Sequence, residues 1–197
     1  MRKLFLLFVP FVILTGCIQS SQIIEPFSVT AELDYKGPLI GENLQIVLHQ
    51  EIPDTLSMIE EYSEVTFRVA DYRNSLGQSL KKTFAKSFKE VKLGDSSTKD
   101  GYVLMINKAE LSPVSSLLTF NSNRQHYMFL SYTYNFVLMK DGTLLKKGQA
   151  SGKSKSHALS TIYYPNLVRS TVKEACGFIA GDMMGQFENK PLISERN

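Results

Sequence analysis

The strongest constraint on the fold is a long alternation of apolar and polar residues that ends at an Asp-Gly pair. Between Tyr127 and Met139 every second residue is apolar, and a period of two places such residues on one face of a β-strand. The predicted inward face consists of Met128, Leu130, Tyr132, Tyr134, Phe136 and Leu138. Asp141-Gly142 is typical of a tight turn, so residues 144–153 are predicted to pair back as the second arm of a hairpin.

Two segments have the spacing of amphipathic helices. The first follows Asp71, its predicted N-cap, and its apolar stripe consists of Leu76, Leu80, Phe84 and Phe88. Pro165 opens the second helix. The apolar stripe of that helix consists of Val168, Val172, Ala175, Cys176, Ile179, Met183 and Phe187. Each helix is therefore expected to bury one face.

Shorter segments are predicted as strands or loops. The strand predictions are 27–33, 43–49, 64–70, 91–93 and 102–107. Residues 54–62 are ambiguous, because their apolar residues fit one helical face but the segment is short. Residues 112–125 have the Ser, Asn and Pro content of a loop, although Val114, Leu117, Leu118 and Phe120 are apolar.

These elements predict an α+β fold. Two helices cannot cover both faces of a sheet made of hairpins, so both amphipathic helices are expected on one face of a mostly antiparallel sheet. The result is a two-layer sandwich. The predicted domain spans residues 27–188, and residues 189–197 are predicted to be a flexible tail.

The N-terminus has the pattern of an export signal. Met1-Arg2-Lys3 precedes about eleven apolar residues, which are too few for a transmembrane span of ~20. Leu14-Thr15-Gly16-Cys17 follows and resembles the bacterial lipobox. The resemblance implies that residues 1–16 are removed and that Cys17 is lipidated, with residues 17–26 as a tether. In a host with two membranes, Ile18 in place of an Asp favours the outer membrane.

The charge and cysteine content exclude few partners. Removal of Arg2 and Lys3 with the signal lowers the basic count from 22 to 20, against 19 acidic residues. A net charge of about +1 gives no reason to expect nucleic-acid binding. Once Cys17 is acylated, only Cys176 remains, so no internal disulfide is expected.

We find no motif for catalysis, metal binding or a cofactor. The three histidines, His49, His126 and His157, do not have metal-ligand spacing, and Ser151-Gly152-Lys153-Ser154 lacks the first glycine of a phosphate-binding loop. Cys176 lies on an apolar stripe without a basic neighbour, which indicates a buried small residue rather than a nucleophile. We therefore expect a protein that is not an enzyme and carries no metal or cofactor.

Two surfaces are candidates for contact with lipid or a partner. Lys81, Lys82 and Lys86 form a basic helix face, which is either ordinary solvated surface or a contact for lipid phosphates or an acidic partner. Leu117, Leu118 and Phe120 lie in the predicted loop and are the candidate docking element. Aromatic residues of the hairpin could instead hold acyl or sugar groups.

The lipobox, the tether and the order of strands and helices resemble small outer-membrane lipoproteins of bacterial envelope machines. In overall plan these are the lipopolysaccharide-assembly lipoprotein and the auxiliary lipoproteins of ABC-type lipid transporters, and residues 69–77 resemble their passage from strand to helix. The resemblance implies a non-catalytic accessory or scaffold subunit of an envelope complex at the periplasmic face of the outer membrane. The alternatives are a lipid- or glycolipid-binding module and an envelope enzyme of unrecognised type.

Overall fold

The helices and strands occur in an order close to the predicted one. A computed structural model describes residues 21–31, 39–60, 65–94, 100–120, 123–155, 157–158 and 164–187, and of 115–120 and 123–128 it describes the backbone only. The strands are β1 (Ser21–Ile24), β2 (Ile40–Leu48), β3 (Leu56–Glu60), β4 (Val65–Val69), β5 (Phe88–Gly94), β6 (Tyr102–Phe120), β7 (Asn123–Lys140), β8 (Thr143–Lys153) and β9 (His157–Ala158). The helices are α1 (Tyr72–Phe84) and α2 (Tyr164–Phe187).

The strands form two mixed sheets. The larger has the order β5-β2-β6-β7-β8, and β9 pairs with β7 beyond the end of β8. In it, β2 lies parallel between β5 and β6, and β6, β7 and β8 are antiparallel. The smaller sheet has the order β1-β4-β3, with β1 parallel and β3 antiparallel to β4. The α+β sandwich with a mostly antiparallel sheet is confirmed, but its strands divide into two sheets.

The parallel pairs have a topological cause. Parallel neighbours need a long connection, and between β2 and β5 the chain forms β3, β4 and α1. The ambiguous segment 54–62 supplies β3, which is a strand and not a helical turn.

The predicted hairpin of β7 and β8 is confirmed. Lys140 pairs with Thr143 across a turn in which Asp141 and Gly142 have φ of 47° and 75°. Two positive φ angles are what the mirror-image hairpin turn requires. Where its side chains are described, the predicted inward face is confirmed as well, since Leu130, Tyr132, Tyr134, Phe136 and Leu138 are at most 5% exposed.

Where their side chains are described, both helices bury their predicted stripes in one core. The fully buried residues of α2 include Val172, Ala175, Cys176, Ile179 and Met183. In α1, Leu76, Leu80 and Phe84 are fully buried. Side chains from both sheets join this core. Within the described ranges, neither helix has the length and hydropathy of a membrane span.

The ends of α1 differ from the prediction. Phe88, which continues the four-residue period, lies after the helix and begins β5, where it is buried in the same core. Asp71 stands at the N-cap in a left-handed conformation, and its side chain makes no capping bond. Its Oδ2 instead accepts a hydrogen bond from Asn74 Nδ2 at 2.7 Å. Apolar periodicity therefore marked the core correctly but overran the helix.

Residues 112–125 are mostly strand, which corrects the loop prediction. β6 continues to Phe120 and β7 begins at Asn123, with unbroken pairing from Ser112–Ser131 to Phe120–Asn123. A ladder uses backbone groups, so the Ser and Asn content that indicated a loop is compatible with it. We call the two-stranded ribbon of residues 113–120 and 123–130 the arm.

Candidate lipid- and partner-facing surfaces

Three hydroxyl groups fasten the chain after β1 to α1. Every second backbone N–H of residues 27–31 donates a hydrogen bond to the hydroxyl of every fourth residue of the helix. The pairs are Phe27 N–Ser75 Oγ (3.2 Å), Val29 N–Ser79 Oγ (3.1 Å) and Ala31 N–Thr83 Oγ1 (3.1 Å). Two residues of extended chain advance ~6.6 Å and four residues of helix ~6.0 Å, so the two repeats match. We call this set of bonds the hydroxyl ladder.

The ladder hydroxyls also bond within the helix. Ser79 Oγ donates to the Ser75 carbonyl at 2.7 Å, and Thr83 Oγ1 donates to the Ser79 carbonyl at 2.9 Å. All three hydroxyl residues are buried. The predicted strand at 27–33 is thus, over its described residues, an extended segment that pairs with a helix and not with a strand. The Ser/Thr spacing of four was a readable signal that sequence reasoning missed.

The candidate lysines lie together at the C-terminal end of α1. Lys82 Nζ donates to Ser28 Oγ at 2.6 Å, and Lys86 Nζ donates to the Ala31 carbonyl at 3.4 Å. Lys81 is exposed in the last turn, where a cation complements the helix dipole. Lys82 and Lys86 therefore help to hold residues 27–31 against the helix.

Leu117, Leu118 and Phe120 lie far from these lysines. Tyr72 Oη, at the start of α1, is 3.5 Å from the Ala109 carbonyl of β6. The Phe88 ring, just after α1, is 5.5 Å from the Tyr102 ring at the start of β6. β6 thus runs antiparallel to α1, and its last eleven residues extend past the N-terminal end of the helix, away from the lysines. The side chains of Leu117, Leu118 and Phe120 lie outside the described residues.

The predicted tether of residues 17–26 is partly folded, which corrects its boundary. Ser21–Ile24 is β1, which pairs with residues 66–69 of β4, and the Ile24 carbonyl accepts a bond from Ala70 N at 2.9 Å. Ile24 is 3% exposed, so burial of this side chain draws the segment into the core. Cys17 and the lipobox lie outside the described residues.

Cys176 is a buried free thiol, as the stripe predicted. Burial raises its pKa to about 12, so the thiol stays protonated near neutral pH. A protonated, enclosed thiol is a poor nucleophile. Among the described residues no group of three His, Cys, Asp or Glu side chains is placed to hold a metal ion.

Tyrosines of β7 lie between the sheet and α2. Tyr132 Oη donates to Asp182 Oδ2 at 2.8 Å, and its ring crosses Gly152, where a Cβ would lie 2.3 Å from the Tyr132 oxygen. The neighbouring Tyr134 is buried, and its hydroxyl has no hydrogen-bond partner in the described part of the chain. Burial, with a smaller effect of Asp182, raises the pKa of Tyr134 well above its usual value.

A shallow groove lies between β3 and β6. Its volume is about 360 Å³, and its lining consists of Glu51, Pro53, Leu56, Lys108, Ala109 and Glu110. Within it Lys108 Nζ pairs with Glu110 Oε1 at 2.8 Å. Sequence reasoning did not find this groove, because its walls come from segments more than fifty residues apart.

Comparison with known proteins supports the fold. No protein-family model and no curated protein matches this chain. Among solved structures, it is similar to a Xanthomonas campestris protein of the DUF330 family, with 11% identity, coverage of 84% of this chain and 94% of that chain, and a TM-score of 0.50. That likeness shows a shared fold.

Two bacterial lipoproteins are also similar in structure. A minor lipoprotein from Acinetobacter baumannii has 14% identity and a TM-score of 0.41, with coverage of 74% of this chain and 94% of that one. Rare lipoprotein B from Shewanella oneidensis has 16% identity and a TM-score of 0.42, with coverage of 74% and 97%.

Proposed function

We propose that this protein is a bacterial lipoprotein, anchored through Cys17, that acts as a non-catalytic accessory or scaffold subunit of a cell-envelope assembly or transport complex. The lipid on Cys17 holds it at the periplasmic face of the outer membrane. The lipobox supports the anchor, and Ile18 after the lipidated cysteine supports the outer membrane.

The arm is the feature of the structure that supports binding to a protein partner. β2 flanks β6 only as far as Ile106, and β8 flanks β7 only as far as Ser131. Beyond those positions β9 pairs with β7 at Tyr127 and Met128, and no other described strand joins the ribbon. Among the described strands, most of the arm therefore consists of β6 and β7 alone.

A two-stranded ribbon is marginally stable in water unless something covers it. Its outer edges offer backbone N–H and C=O groups to an added strand, which is a common mode of protein recognition. The arm also contains Leu117, Leu118 and Phe120, and Val114 at its base is 37% exposed. We assign the arm as the docking element for an envelope protein.

The buried ionisable groups support a non-catalytic role. The pKa values of Tyr72 and Tyr134 are raised by burial, and the pKa of Cys176 is raised to about 12. All three side chains are neutral near pH 7. They therefore behave as packing residues and not as acids, bases or nucleophiles.

The alternative, binding of a lipid or glycolipid by the lysine face, has less support. Lys82 and Lys86, which would contact the phosphates, bond to Ser28 and to the Ala31 carbonyl. Native mass spectrometry of the delipidated domain tests this alternative directly, because a copurified lipid would favour it.

Photo-crosslinking in intact cells tests the docking assignment. A photoreactive amino acid at Leu118 is expected to give one dominant adduct with an envelope protein. The matched control is Leu145, which is 52% exposed on β8 and is expected to give none. Identical adducts from both positions, or none from Leu118, would contradict the proposal. Intact mass of the membrane-extracted protein beside Cys17→Ala tests the anchor separately.

A further inference from the structure

The short distance between the anchor and β1 has a consequence for orientation. Cys17 precedes Ser21 by four residues, and a fully extended chain spans at most ~3.5 Å per residue. The first residue of β1 therefore lies within ~14 Å of a cysteine whose acyl chains are in the bilayer. This step depends on the lipid anchor of the proposed function.

The register of the smaller sheet determines which of its side chains face outward. Ile24, Val69 and Leu56 form one row, which points into the core. The alternate rows point the other way. Their described members are Ile23, Arg68 and Ser57, and Thr66 and Ile59. Ile23 is 66% exposed and Ile59 is 58% exposed, although both are large and apolar.

We infer that this outer face of the smaller sheet, with Ile23, Arg68 and Ile59, rests on the lipid surface that carries the anchor. Isoleucine side chains on the two outer strands can enter the boundary between headgroups and acyl chains. Arg68 lies between them on the central strand, where its aliphatic stem packs on the same boundary and its guanidinium reaches lipid phosphate.

The direction of the chain separates the lysine end of α1 from β1 and the anchor. From β1 the chain passes along the hydroxyl ladder from the N-terminal to the C-terminal end of α1. A helix of thirteen residues is ~20 Å long. Lys81, Lys82 and Lys86 thus lie about that distance along the helix from the end that β1 adjoins.

The charge of the sequence between β3 and β4 bears on the kind of bilayer. The connection between β3 and β4 contains Glu60, Glu61 and Glu64 in the sequence. Because carboxylates are repelled by an anionic surface, we expect contact with a zwitterionic bilayer.

Depth-dependent quenching of fluorescence tests this orientation. The full lipidated protein carrying Ile59→Cys, labelled with an environment-sensitive fluorophore, is reconstituted into phosphatidylcholine vesicles that contain nitroxide at the headgroup. Cys17 is acylated and Cys176 is buried, so the introduced thiol is the reactive one. We expect a blue shift and a loss of emission. Ile23→Cys, on the other outer strand, is expected to behave in the same way and serves if Ile59→Cys folds poorly.

Leu145→Cys is the matched control, because it is similarly exposed on β8. It is expected to show neither the shift nor the quenching. Equal quenching at all three positions, or none at positions 23 and 59 in a protein whose mass shows acylation at Cys17, would overturn the inference and leave the anchor intact. A protein without acylation would instead contradict the proposed function.

Discussion

The two halves of the β6–β7 hairpin have the same backbone pairing and very different surroundings. In the inner half, residues 102–111 and 132–140, β2 flanks β6 as far as Ile106 and β8 flanks β7 throughout, and Ile106, Tyr134 and Phe136 are at most 1% exposed. The arm continues the same ladder with β9 as its one described additional strand. The comparison teaches that pairing alone does not determine a hairpin's role. Sheet neighbours and core packing make the inner half a source of stability, whereas β9 is the one further strand that flanks the arm among the described residues.

The largest expected effect is on the free energy of unfolding, and it reflects the difference in core packing between the inner half and the arm. Phe136→Ala is expected to destabilise the protein by about 3–5 kcal/mol, because it leaves a cavity in a closed core. Val114→Ala, at the base of the arm, is expected to cost about 0.5 kcal/mol or less. Chemical denaturation measures both. Similar losses for the two variants would show that the arm is as well packed as the inner half.

At the boundary between the inner half and the arm, the Tyr132 ring packs against Gly152. Gly152→Ala places a Cβ 2.3 Å from the Tyr132 hydroxyl, so the ring must move and its bond to Asp182 weakens. Overpacking of this kind is expected to cost about 1–3 kcal/mol. Ser151→Ala, the exposed neighbour on β8, is the control and should be nearly neutral. An unchanged melting temperature for Gly152→Ala would mean that Tyr132 can take another position without loss.

The hydroxyl ladder is expected to protect the backbone of residues 27–31 from local opening as well as pairing protects the inner half of the β6–β7 hairpin. Ser79→Ala leaves the Val29 N–H without its acceptor, which is expected to cost about 1–2 kcal/mol. Exchange of the Val29 amide hydrogen should accelerate. Lys81→Ala, on the exposed side of α1, is the control. If exchange at Val29 is equally slow in both variants, the hydroxyl does not hold the segment.

Smaller changes in stability, of opposite sign to each other, are expected when the hydroxyl groups of Tyr132 and Tyr134 are removed. Tyr132→Phe removes the bond to Asp182 and should cost about 1 kcal/mol. Tyr134→Phe removes a buried hydroxyl without a partner in the described part of the chain, so it is expected to be neutral or stabilising by up to about 1 kcal/mol. Denaturation curves of the two single variants decide the sign. A loss of stability in Tyr134→Phe would indicate that its hydroxyl has a partner.

Local sequence patterns predicted the β7–β8 hairpin and α2. The period of two, the Asp-Gly pair and the apolar stripe of α2 involve residues close in sequence, and each led to the correct element. The parallel pairs of β1 with β4 and of β2 with β5 join residues about forty-five apart, and no local pattern encodes them. The division into two sheets was therefore not predictable from periodicity.

The candidate surfaces were harder to predict than the core. The lysines were placed on the correct side of α1, but their contacts with Ser28 and Ala31 depend on how residues 27–31 fold back. Residues 112–125 were interpreted as a loop, because Ser and Asn are common in loops, although a two-stranded ribbon also tolerates them. The boundary of the tether was wrong because a four-residue strand is too short to show a period.

The smallest effect on stability is expected from shortening the arm itself. Replacing residues 117–126 by Asn-Gly joins Ser116 to its partner Tyr127 and keeps the positions that pair with β9. The inner half loses no neighbour, so the free energy of unfolding should change by about 0.5 kcal/mol or less. A photoreactive residue at Val114, which the docking assignment expects to give adducts in the full-length protein, should give none in the shortened one, because the partner loses most of the ribbon that it binds. A shortened protein that unfolds more easily would make the arm part of the folded core, whereas one that keeps its adducts would move the docking site away from the arm.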